Sequence, residues 1–234
     1  MVWSRKRKGS TPLAGLRDAL FADASLEEVA TRATSPSDDP WSHFAAAQQA
    51  LSNGDKIGAI QQLRRGQETE GLETRLYLQA WHCLRTQGEL PPENIAREVK
   101  GVVVEVGLDG SVDLVAGYSD HTARYFNHTG LTGILWDVPE DTEIASLIDA
   151  LLQAGEANVE NTGPWDRARL PAPPEGMARV NVLTFGGLHF GQDDYGELTR
   201  HPLGGPAINA AYALMLALMA KHKALPEQGE DAGQ

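Results

Sequence analysis

The repeat distance of apolar residues changes at Gly101, and that change divides the chain into two kinds of structure. Before it, Trp41, Phe44, Ala47 and Leu51 recur three and four residues apart. Ile57, Ile60 and Leu63 recur three apart, while Leu72, Leu76, Trp81 and Leu84 form a looser third set. Such spacings gather side chains on one stripe of a helix. After Gly101, Val102, Val103, Val104 and Val106 form a β-branched run around Glu105. Then Val112, Leu114, Ala116 and Tyr118 alternate with Asp113, Val115 and Gly117. Branched side chains are stiff in helices and fit a pleated surface. Helical and strand patterns in separate blocks imply an α+β chain.

The strand block is punctuated by turn residues. Leu108-Asp109-Gly110-Ser111, Ser119-Asp120-His121 and His128-Thr129-Gly130 separate four strands, the fourth running from Leu131 to Trp136. Short turns join antiparallel neighbours, so these four predict a meander. Ile144, Leu147, Ile148, Leu151 and Leu152 give the stripe of a helix lying on a sheet, with Gly155 as its stop. A fifth strand covers Val180 to Phe185. Gly186-Gly187 turns the chain into a sixth, which begins at Leu188. A Gly- and Pro-rich loop follows, and a last helix runs from about Ala207 to His222. The fold class is therefore an N-terminal helical segment followed by an antiparallel sheet, ββββ-α-ββ-α, with helices packed on one face. It is not a doubly wound nucleotide fold, because no strand–helix–strand alternation carries a phosphate loop.

The domain reading follows. Residues 1–40 are a flexible basic N-terminus and linker with short helices; Ser25 and Glu28 have capping-box spacing. Residues 41–98 are a helical segment. Residues 99–225 form the α+β domain, and residues 226–234 a disordered acidic tail. Within the helical segment, the order Trp41, Phe44, Ala45, Gly54-Asp55 and Ala59 resembles one tetratricopeptide-type helix pair. The resemblance covers about two helices in a single copy, its register slips between them, and no function is carried from it.

Charge narrows the partners. Lys and Arg total 20 against 32 Asp and Glu, a net charge of −12 over 234 residues. This excludes bulk nucleic-acid binding, since phosphate backbones recruit cationic surfaces. The visible cationic concentration is Arg5–Lys8, next to Trp3. One cysteine, Cys83, cannot form an intrachain disulfide, and the longest apolar run, Ala210 to Ala220, is too short for a transmembrane segment. These features predict a soluble cytoplasmic protein.

No dinucleotide, phosphate-loop, zincin or nucleophile-elbow motif occurs. No two histidines stand four apart on one helix, so neither a metal site nor a cofactor is predicted. The densest polar segment is Tyr118, Asp120, His121, Arg124, Tyr125, Asn127 and His128. Read as a ligand site, Arg124 binds an anion and Asp120–His121 supplies acid–base chemistry, with His189 joining from another strand. Read as a hairpin, Asp120 caps the turn and Arg124 is a cross-strand partner. Trp165 and Asp166 either recognise a ligand or pin an extended connector to the body. Gln192 to Glu197, with three carboxylates, reads as a solvated acidic loop. The last helix is apolar all round. Either both its faces are buried or one meets a partner, for which Tyr212, Met215 and Met219 supply a face.

The function these features favour is a non-catalytic protein-binding or adaptor module, acting as a subunit of a larger assembly. Its partner is another protein or a second copy. The alternative is a small-ligand sensor or hydrolase-like enzyme with a site around Asp120, His121, Arg124 and His189.

Overall fold

The computed structural model describes residues 12–33, 40–129 and 133–224. Trp3 and the basic cluster, the linker residues Thr34–Asp39, Gly130 with Leu131, and the acidic tail lie outside the described residues. The chain divides into two compact units, Met1–Leu90 and Pro91–Gln234.

The first unit is helical: α1 (Pro12–Phe21), α2 (Leu26–Ala30), α3 (Pro40–Ser52), α4 (Lys56–Gln67) and α5 (Thr74–Thr86). Ser25 and Glu28 form the full capping box that starts α2. The α3–α4 turn needs a left-handed residue, supplied by Gly54 at φ +78°. Asp55 then caps α4 by accepting from Gly58 N at 2.7 Å. The buried stripe of α4 is Ala59, Leu63 and Gly66; Ile57 is 71 % exposed. The small residues win this contact because α3 lies close. A Cβ on Gly66 would sit 3.2 Å from the His43 Cβ. In α5 the buried apolar residues include Leu78, Trp81 and Leu84.

The second unit begins with α6 (Glu93–Ala96), a single turn. The strands are β1 (Val99–Leu108), β2 (Ser111–Tyr118), β3 (Ala123–Phe126), β4 (Gly133–Trp136), β5 (Met177–Thr184) and β6 (Gly187–Asp194). They form one antiparallel sheet in the order β4-β3-β2-β1-β5-β6. The meander therefore comprises β1 to β4, and β5 returns to the free edge of β1. The connection is α7 (Thr142–Asn161), whose 20 residues span about 30 Å. That is long enough to cross the four interstrand steps from β4 to β5, roughly 19 Å. The chain then adds α8 (Tyr195–Arg200) and α9 (Gly204–Ala224).

Helices α7 and α9 cover one face. Val102, Val104, Val180 and Val182 point there, in register across β1 and β5, and pack with Ile148, Leu151 and Leu214. Two sequence expectations change here. Gly155 does not stop α7; it lies where the helix crosses β1 and β5. A Cβ would come 2.8 Å from Val102 Cγ2, so the missing side chain permits contact. The acidic segment expected as a loop is instead the end of β6 and the first half of α8. Asp194 caps α8 through Gly196 N at 2.9 Å. Among the described residues, no helix is long and apolar enough to cross a membrane.

Candidate functional site

The polar residues around β3 are each engaged in local structure. The β2–β3 turn is closed by His121 N donating to Tyr118 O at 2.9 Å, with His121 at φ +59°. Asp120 Oδ1 accepts from Thr122 N at 3.1 Å and from Thr122 Oγ1 at 2.8 Å, the geometry of an Asx turn. His121 Nε2 turns away and meets Asp149 of α7 at 3.0 Å. His128 meets Asp113 of β2, Nδ1 to Oδ1 3.1 Å.

Arg124 is buried. Its Nη1 donates to Ala123 O at 2.8 Å and to Trp136 O at 3.1 Å, and its Nη2 pairs with Asp137 at 2.6 Å. This guanidinium ties β3 to the end of β4. Tyr118 is fully buried, with its ring against Gly101; a Cβ there would lie 2.7 Å from Tyr118 Cδ1. Tyr125 faces α7 and α9. Burial, and then the nearby Asp113 carboxylate, raises the pKa of its hydroxyl.

His189 stands on β6, opposite Val182, with Nδ1 3.1 Å from Thr162 Oγ1. Burial, then the positive charge of Arg97, lowers its proton affinity. From β3 to β6 there are four interstrand steps, about 19 Å. The structure therefore does not bring Asp120, His121, Arg124 and His189 to one place. Trp165 pins the connector before β5. Its N donates to Leu188 O at 2.6 Å, its Nε1 donates to Ala168 O at 3.0 Å, and its ring meets Phe190 edge-on at 5.1 Å. Asp166 is exposed, 3.7 Å from Arg167. Among the described residues, no three His, Cys, Asp or Glu side chains gather closely enough to hold a metal ion.

Open space lies elsewhere. An apolar groove of about 490 Å³ runs between α9 and the β1–β2 end of the helix-covered sheet face. Val104, Val106 and Val115 form its floor, and Ile208, Ala211 and Met215 its α9 wall. Ala211 and Gly176 fill little volume in this lining, and Gly107 lines it with backbone alone. Gly107 has no alternative: a Cβ would strike the Pro174 carbonyl oxygen at 1.9 Å. At the rim stand Asp113, Glu175, Tyr195 and Tyr212; the two tyrosines are 41 % and 55 % exposed. The link from Tyr195 N to Gly176 O, 2.9 Å, sets the start of α8 at this rim.

The expected partner face is divided. Tyr212 and Met215 line the groove, while Met215 and Met219 pack partly against the core. The outer side of α9 instead exposes Tyr212 and Leu216. The sequence signal for the α9 wall was the all-apolar helix. Nothing in the chain order marked the floor, because β1 and β2 meet α9 only after a long loop of chain closes. No protein-family model, curated protein or solved structure matches this chain.

Proposed function

We propose that this protein is a non-catalytic cytoplasmic protein-binding module, a subunit of a larger assembly that docks its partner in the α9 groove. One observation carries this reading: an apolar groove of about 490 Å³ stays open beside a well-packed core. Interiors of proteins are close-packed, so an open apolar recess of this size is a place for something else. The exposed Tyr212 and Leu216 extend the apolar surface along α9. Helices with such faces take partner segments through a few apolar anchors. A single buried thiol, Cys83, pushed up to about 11 by burial, suits a reducing compartment.

The groove volume favours one second reading, a sensor for an apolar small ligand, since such ligands occupy cavities of roughly 300–1,000 Å³. The polar residues of β3 add no catalytic step to either reading.

Selection of random peptides against the full chain separates the two. The proposal expects enriched peptides whose affinity falls about tenfold or more when Ala211→Trp fills the groove. Peptides that bind both proteins equally overturn it. So does a library that yields none while apolar metabolites raise the melting temperature of the wild type only.

A further inference from the structure

The groove has a sign as well as a shape. The charged residues lining it are Asp113 and Glu175, both carboxylates; no Lys or Arg lines it among the described residues. Glu175 is exposed and carries the rim charge where β5 begins. The neighbouring strand end adds Asp193 and Asp194, whose β5 partners are Ala178 and Met177. Arg200, on the same short helix as Tyr195, is occupied by Glu197 at 2.8 Å and by Gly196 O at 3.0 Å. Lys221, six residues beyond Met215 on α9, is held by Asp141 at 2.8 Å and Glu143 at 3.0 Å. His128 is bonded to the rim carboxylate Asp113. The half-exposed Tyr195 and Tyr212 stand at the same mouth.

We infer that the groove selects a cationic peptide segment: an apolar anchor seated between α9 and the sheet, followed by Lys or Arg beside Glu175 and Asp113. This inference rests on the protein-binding reading and specifies its partner. Each part of the site favours that chemistry. The apolar floor rewards burial of a large side chain. The carboxylates attract a cation and repel an acidic segment, which sets specificity and association rate. Tyrosine rings attract an ammonium or guanidinium group. An anionic metabolite or an acidic helix would meet like charge at the rim.

The probe is an 11-residue peptide with the sequence of residues 1–11, MVWSRKRKGST, which pairs Trp3 with four cations. Its controls replace the four basic residues with Glu, or Trp3 with Ser. Fluorescence anisotropy with the full-length chain is expected to show saturable binding of the basic peptide. Either control should bind at least about fivefold more weakly. Glu175→Lys, at an exposed position, should weaken the basic peptide by a similar factor and strengthen the acidic control. Ala211→Trp should remove both. Equal binding of basic and acidic peptides, or indifference to Glu175→Lys, overturns the inference. If affinity still depends on Ala211→Trp in that case, the protein-binding reading stands and only the charge preference fails. If the basic peptide does not bind at all, the inference fails. The random-peptide selection then decides separately whether the groove binds any segment.

Discussion

On the helix-covered side of the sheet, Val102, Val104, Val180 and Val182 meet Ile148, Leu151 and Leu214. On the opposite side, one residue out of phase on the same strands, Glu105, Arg179 and Asn181 meet each other. Arg179 Nη1 donates to Glu105 at 3.3 Å and to Pro171 O at 2.8 Å, while its Nε donates to Gln192 at 2.8 Å. Asn181 Nδ2 bridges Glu105, at 3.2 Å, and Val103 O, at 3.0 Å. One side is held by area removed from water, and a groove can open in it without stranding any charge. The other also buries Val103, Val112, Leu114 and Tyr118, and it sets among them an ion pair whose partners must all be present, because a buried ion without its counter-charge is costly. A binding groove is therefore tolerated on the first side and would be disruptive on the second.

Breaking the ionic side should have the largest effect. Arg179→Met leaves Glu105 buried without its guanidinium and should cost about 3–5 kcal/mol. Urea unfolding of the variant measures this. Adding Glu105→Leu should recover much of the loss, and failure to recover it would mean that packing, not charge, sets the cost. On the apolar side, Ile148→Ala should cost about 2–5 kcal/mol by the same measurement, through lost transfer energy and a residual cavity. A smaller loss than about 1 kcal/mol would show that α7 collapses into the gap, and that the groove side is softer than its packing implies.

The smallest expected effect concerns the one histidine placed on the apolar side of β6. His189 has its pKa lowered from 6.5, chiefly by burial and then by Arg97. The folded state therefore favours the neutral ring. Below pH 6.5 the unfolded chain takes up a proton that the folded chain resists. The stability this group permits is present above that pH and is lost as pH falls. His189→Gln should flatten part of the decline in melting temperature between about pH 7.5 and about pH 5. Parallel declines in wild type and variant would assign the acid sensitivity to other groups.

Local features were legible where local chemistry is sufficient. The Ser25–Glu28 box, the Gly54-Asp55 break and the β-branched run from Val102 to Val106 each act within a few residues. The structure has all of them. Gly155 was misleading because its cost as a helix residue is small beside the contact it permits with Val102. Ile57 was misleading because a stripe drawn from the largest residues ignores how closely α3 approaches. The polar residues of β3 were legible as a cluster and as a hairpin with Asp120 at its turn, yet their long-range partners were not. Arg124 finds Asp137 across a strand pair, and His121 finds Asp149 28 residues away.

By itself, the sequence determined the α+β class, the strand boundaries to within a few residues, the Ser25 and Asp55 caps and the acidic balance. These depend on period, turn chemistry and charge count. The tertiary structure decided that β5 joins β1 rather than β4, so that Arg179 lies beside Glu105, 74 residues earlier in the chain. It also decided that α9 leaves a groove over Val104, Val106 and Val115. The physical reason is the same for both. A strand offers two edges and a helix several sides, and only closure of the whole sheet selects which edge is paired and which side stays open.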